Sequence, residues 1–368
     1  MTFKTTAAVL DEPHGRFVLK QVELDDLRDD EILVVVEASG VCHTDVVVQD
    51  GLTPPMVLGH EGTGVVQAIG SGVRRVRPGE RVIVSYPWCG DCNECLTGHA
   101  YRCEQMFRLA FGGGRLDGSK TITMDGRPVS SAFFQQSSFA THLITLERDV
   151  VPVGQGHAAE LLAAIPCGVQ TGAGAILNSM QLGAGDSLAV FGTGAVGLSA
   201  VMAARLTGAS TIIGVDVVES RLELALELGA THVINASNGE VPERIKEILP
   251  KGVRYSFETS GNEQGLDTAI ESLCMGGECG FVTLPHRGEK YPFTLRGLTT
   301  KTATLRGIIS GSALPNDFLP KLIEWQQQGR FPYDRLITTY DFEDINQAFA
   351  DSAEGRAIKP VLMMHPGS

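Results

Sequence analysis

The chain has 368 residues, 43% of them hydrophobic, which is enough apolar material for two packed domains. Its formal charge of -13 excludes a nucleic-acid groove or an anionic membrane surface, both of which require clustered Lys and Arg. Small-molecule chemistry is the remaining expectation, and 43 glycines without a collagen-like period predict many tight turns.

In chain order, the opening stretch MTFKTTAAVLDEPHGRF carries no apolar run of signal-peptide length, so a cytoplasmic location among reduced thiols is expected. GVCHTD then supplies Cys42, and GHEGTG supplies His60 eighteen positions later. CGDCNECLTGHAYRC follows, with Cys89, Cys92, Cys95 and Cys103 spaced C-x2-C-x2-C-x7-C. Disulfides do not suit a reducing compartment, and a redox CxxC pair needs no third and fourth cysteine. Four thiolates around one zinc ion satisfy the spacing. Such a site leaves no open ligand position, so this zinc is expected to hold the loop rather than to react.

Cys167 lies further on, in IPCGVQTGAG. Singly, Cys167 reads as a small buried hydrophobe and His60 as a satisfied core histidine. Together with Cys42 they offer two cysteines and one histidine, the ligand set of a catalytic zinc with one position open.

Ser187 to Ala204 is uncharged over eighteen residues and could be read as a membrane span. Its internal punctuation argues otherwise. A short apolar strand, Leu188 to Phe191, runs into GTGAVG, then a helix-like LSAVMAARL, then a second strand ending at Asp216. In this dinucleotide fingerprint Gly192 makes the turn, Gly194 lets backbone approach a pyrophosphate, and Gly197 lets helix meet strand, with Ala195 and Val196 opening the helix. Asp216 is placed to bind ribose hydroxyls and to repel a 2'-phosphate, which favours NAD over NADP. Arg221 could lie over the adenine ribose, help tolerate a phosphate, or simply be solvated. Ser220 and Glu223 form a capping-box pattern for RLELALEL, which Gly229 can close. Cys274 and Cys279 have no such partners and are taken as structural.

With GHEGTGVVQAIG, the four-cysteine loop, CGVQTGAGA and FGTGAVGLSA in that order, nearly the whole chain resembles the zinc-dependent medium-chain alcohol dehydrogenases. VESRLELALELGATHVIN and GRFPYDRLITTYDFEDINQAFADS are most similar to the branch that oxidises benzylic and allylic terpenoid alcohols. The resemblance implies an α/β protein with a discontinuous GroES-like β-barrel catalytic domain, residues 1–165 and 302–368, around a Rossmann doubly wound parallel-sheet nucleotide domain, residues 166–301. It implies two zinc ions per chain, NAD, reversible oxidation of a primary aromatic or allylic alcohol to its aldehyde, and a homodimer or homotetramer.

Residue roles follow from the same resemblance. Cys42, His60 and Cys167 would hold the catalytic zinc, and Thr44 would take the substrate's proton. His43 and Lys359 would contact the cofactor, Asp45 would orient His60, and Glu61 would sit behind the zinc. Many family members carry a histidine where this chain has Val47, so the outward proton route differs here. Tyr86, Trp88, Phe139, Leu284 and Ile309 are the candidates for an apolar pocket, although each also reads as core. Aromatic walls suit a flat alcohol rather than the charged glutathione adduct of a formaldehyde dehydrogenase, for which no basic cluster is evident. A nucleotide-binding structural protein that lost the chemistry is the other alternative, and retention of all three ligands with Thr44 argues against it.

Overall fold

The computed structural model describes residues 3–282 and 293–364. The chain divides into two compact units, one formed by Met1–Cys167, Leu314–Glu324 and Tyr333–Ser368, the other by Gly168–Ala313 and Trp325–Pro332.

The first unit is β-rich because its segments alternate apolar and polar residues over short lengths. Phe3–Leu10 and Val18–Leu24 pair antiparallel in a five-stranded sheet completed by Met56–Val57, Ile122–Met124 and Arg127–Val129. The second sheet has seven strands built on Glu31–Gly40, which is buried along most of its length. Gly62–Ile69, His142–Leu146 and the late strand Lys359–Met363 all pair with it antiparallel. Val34, Val36, Val66, Val82, Phe139 and Leu362 share one buried cluster between these elements. The long excursion of the chain thus returns to complete the sheet it left.

The second unit contains a six-stranded parallel sheet whose two halves wind outward from Ser187–Phe191 and Val253–Glu258. Thr211–Asp216 and His232–Asn235 extend one side, and Leu273–Phe281 and Thr304–Gly307 extend the other. This strand order has a topological switch point between the two central strands, where α/β sheets bind nucleotides. The sixth strand, Thr304–Gly307, lies beyond residue 302, where the sequence suggested the return to the catalytic domain. Its pairing with Leu273–Phe281 keeps it in the nucleotide sheet.

The uncharged stretch from Ser187 is a strand, a turn at Gly192 with φ 88°, and the helix Ala195–Thr207. A Cβ on Gly197 would lie 1.8 Å from the Gly192 carbonyl oxygen, so only glycine lets the helix approach that turn. Among the described residues one helix, Ala159–Ser179, is long and apolar enough to cross a membrane, but 72% of that window is buried within the fold. Two π-helical segments interrupt it, at Ile165–Val169 and Ala175–Ser179. The first contains Pro166, which has no N–H to donate to an α-helical ladder, and Cys167 occupies the next position.

The capping-box expectation is corrected. The helix Glu219–Leu228 begins before Ser220, no side chain caps it, and Gly229 does end it. The amides just ahead of it, Val217 N–H and Val218 N–H, donate to Asp216 Oδ1 at 2.7 and 3.0 Å. An acid read as a ligand contact is therefore also the clasp of its own loop.

Candidate active site

Two loops and the π-helical segment Ile165–Val169 bring Cys42, His60 and Cys167 together, with Glu61 beside them, so that one ligand atom from each lies within 4.8 Å of the others. Cys42 Sγ and Cys167 Sγ are 3.8 Å apart, and His60 Nε2 is 3.3 Å from Cys167 Sγ. Two sulfurs bound to tetrahedral zinc at about 2.3 Å stand about 3.8 Å apart, so the donor set fits that ion without rearrangement.

The fully buried Asp45 organises the cluster. Its Oδ2 accepts from Cys42 N–H at 3.0 Å, and its Oδ1 accepts from Gly59 N–H at 3.1 Å and from His60 Nδ1 at 3.0 Å. Fixing the proton on Nδ1 leaves Nε2 as the donor atom directed at the sulfurs. The hydrogen bond from Cys167 draws the Cys42 thiol well below its ordinary pKa, with His60 and Lys359 adding to the effect. The same hydrogen bond and burial push Cys167 up.

Glu61 is fully buried, and burial raises its carboxyl pKa even though the Lys359 ammonium forms an ion pair with it. Gly40 makes room for that pair, since a Cβ there would collide with Glu61 Oε2. Lys359 is only 2% exposed and also donates to the Val41 carbonyl oxygen at 3.3 Å. Its ammonium is committed to Glu61 behind the ligand cluster, whereas the sequence reading assigned it to the cofactor. Thr44 Oγ1 lies 3.6 Å from Cys42 Sγ at the start of the short helix Thr44–Val47, and His43 is exposed just before it.

Aromatic rings close over the histidine. Phe134 stacks on His60 with centroids 4.6 Å apart and planes 24° from parallel, and Phe133 meets the same imidazole edge-on at 5.5 Å. Phe111 abuts Phe134 edge-on at 5.3 Å. The backbone here is strained, with positive φ at Ala132, Phe134, Gln135 and Ser137. Buried side-chain hydrogen bonds hold it: Gln135 donates to the Leu109 carbonyl oxygen, Gln136 to that of His60, and Ser137 to that of Val57.

In the four-cysteine loop all the sulfurs also lie within 4.8 Å of one another, with Cys89 and Cys95 3.8 Å apart and Cys92 and Cys95 3.4 Å apart. The Glu104 backbone amide leads in drawing Cys92 down to about 7, while burial pushes Cys89 up to about 11 and Cys95 higher still. Tetrahedral zinc fits these donors as well. The eight cysteines are all free of disulfides.

In the second unit, a Cβ on Gly194 would meet nothing within 4 Å, so the backbone before the helix is open to a close ligand. No side chain caps that helix, which leaves the first-turn amides of Ala195 and Val196 to bind an anion. Asp216, 9% exposed, ends the neighbouring strand. Arg221 is half-buried on the helix after it. A dinucleotide fits this cradle.

The chain matches the Alcohol dehydrogenase GroES-like domain family over residues 28–154 and the Zinc-binding dehydrogenase family over residues 195–328. It is 43% identical over 361 residues to geraniol dehydrogenase of Castellaniella defragrans, covering 97% of each chain. The chain belongs to the zinc-dependent medium-chain alcohol dehydrogenase family. It is also similar to the NDMA-dependent alcohol dehydrogenase of Amycolatopsis methanolica, 34% identical with 98% of this chain and 99% of that one covered. Among solved structures, benzyl alcohol dehydrogenase of Acinetobacter calcoaceticus superposes with a TM-score of 0.94 at 39% identity, covering 99% and 100% of the two chains. An alcohol dehydrogenase zinc-binding domain protein of Burkholderia ambifaria gives 0.96 at 44% identity, with the same coverage.

For this alcohol dehydrogenase the expected pocket residues lie mostly elsewhere. Phe139 is wholly buried between Phe17 and Phe349, with centroid distances of 5.9 and 5.8 Å, and is a core ring. Tyr86 packs with Cys95, Cys103 and Met106 beneath the four-cysteine loop, and Trp88 flanks the same cluster while donating to the Arg148 carbonyl oxygen. Ile309 is 45% exposed on the nucleotide unit, and Leu284 lies outside the described residues. The rings beside the ligand cluster are Phe133 and Phe134, which the sequence reading passed over. The available signal was SAFFQQSSF, where an aromatic pair is followed by four polar residues that are all buried.

Proposed function

We propose that this alcohol dehydrogenase oxidises primary aryl and allylic alcohols reversibly to aldehydes, with NAD as acceptor. The observation that carries the reading is the flat Phe134 ring stacked on His60, an aromatic wall against the ligand cluster. The names of two similar proteins, geraniol dehydrogenase and benzyl alcohol dehydrogenase, support the same substrate class.

When bound, zinc supplies a Lewis acid to the alcohol oxygen and the nicotinamide accepts the hydride from the adjacent carbon. The chain's own residues do the rest. Asp45 holds His60 in the tautomer that leaves Nε2 free, and Lys359 keeps the buried Glu61 charge neutralised. Thr44 takes the proton leaving the substrate hydroxyl. The apolar side chain of Val47 cannot pass that proton on, so it leaves through water or the exposed His43. Phe133 and Phe134 pack against the His60 ring and Phe111 against Phe134, an aromatic, water-poor surrounding that suits a conjugated substrate. Asp216 accepts from the adenosine ribose and disfavours a 2'-phosphate.

NADH formation with a panel of primary alcohols, with and without glutathione, tests the assignment. Aryl and allylic alcohols should exceed saturated ones of equal size, and glutathione should add nothing. Turnover that requires glutathione with formaldehyde would overturn it.

A further inference from the structure

Asp216 accepts four hydrogen bonds within the fold. Thr193 N–H and the Thr193 hydroxyl donate to Oδ2 at 2.6 and 2.8 Å, and Val217 N–H and Val218 N–H donate to Oδ1 at 2.7 and 3.0 Å. An ionised carboxylate offers about four lone-pair sites, so none of them is idle. Three of the donors are backbone amides of the Gly192 turn and of the approach to Glu219–Leu228, and they cannot withdraw without unwinding those turns. The fourth is the hydroxyl of the middle residue in Gly192-Thr193-Gly194. Thr193 is wholly buried, and its methyl lies 3.4 Å from where a Cβ on Gly214 would stand, so the hydroxyl is held on Oδ2.

Each donor draws negative charge away from the exposed edge of the carboxylate. A ribose hydroxyl must then share an oxygen already in use, and a 2'-phosphate meets a weaker repulsion. Removing the hydroxyl would leave three amides to keep the carboxylate in place, so its effect on charge outweighs its effect on position. We propose that Thr193 tunes cofactor choice, its hydroxyl attenuating the preference of Asp216 for a ribose diol over a ribose 2'-phosphate. This rests on the reading of Asp216 as the ribose contact.

The test compares kcat/KM for NAD and NADP in the zinc-loaded enzyme and in Thr193→Val, Thr193→Ser and Asp216→Asn, with melting temperatures alongside. Thr193→Val, which keeps the shape and the backbone donor, should raise the NAD-to-NADP ratio about three- to tenfold, the scale of one ordinary net hydrogen bond. The change should fall on KM, and Thr193→Ser should return the wild-type ratio. Thr193→Ala gives the same readout if the valine variant does not fold. An unchanged or lower ratio in the valine or alanine variant, with or without a fall in melting temperature, assigns the hydroxyl to stability or placement and overturns the proposal. If Asp216→Asn leaves the ratio unchanged, the ribose reading itself falls and the attenuation falls with it. If Asp216→Asn collapses the ratio while the Thr193 variants fail to raise it, only the attenuation falls.

Discussion

At the scale of single residues, the candidate ligands were legible and their surroundings were not. Cys42, His60 and Cys167 could be picked out because few chemistries need that set of donors. Phe134 could not, because an aromatic residue in a loop has no signature of its own until its backbone is seen held at positive φ by buried Gln and Ser side chains. Phe134→Leu keeps an apolar side chain and removes the ring face. It should lower kcat/KM for a benzylic alcohol about two- to tenfold, the scale of one aromatic pair, with zinc content unchanged. Steady-state kinetics with metal analysis checks this, and equal losses on benzylic and saturated alcohols would count against a stacking role.

Asp149 gives a second residue-level expectation. Burial pushes its carboxyl up to about 8, whereas an aspartate in an unfolded chain titrates near 4. Between those pH values the folded chain keeps a proton that the unfolded chain releases. The stability associated with Asp149 is therefore fully present below about pH 4 and is lost as the pH rises towards about 8. Asp149→Asn, neutral throughout, should raise the melting temperature relative to wild type more at pH 8 than at pH 5. Melting curves at the two pH values decide it, and a difference independent of pH would refute the burial account.

At the scale of elements, the four-cysteine loop was readable from its spacing alone, because tetrahedral thiolate geometry constrains sequence separation. Burial pushes the Cys89 thiol up to about 11 and Cys95 above that. Zinc binding should therefore release protons, and affinity should weaken as the pH falls. Cys95→Ala should lose one zinc per chain and lower the melting temperature while the second zinc is retained. Unchanged zinc content would contradict the structural role. The start of the helix after Asp216 was misread: Ser220 and Glu223 fit a capping box, but the helix begins at Glu219, so Ser220 lies inside its first turn rather than at the cap.

At the scale of the whole molecule, the alternation of a β-rich unit with a parallel nucleotide sheet was visible in the order of the motifs. The point of return was less so. Thr304–Gly307 is a short strand with three exposed residues, and only its pairing with Leu273–Phe281 shows which sheet it serves. A zinc alcohol dehydrogenase whose ligand cluster is walled by an aromatic ring should favour flat, conjugated alcohols. The most direct measurement is kcat/KM for benzyl alcohol against cyclohexylmethanol, two primary alcohols of nearly equal size that differ in their π face. A clear preference for benzyl alcohol is predicted, while equal rates or a preference for the saturated ring would contradict the claim.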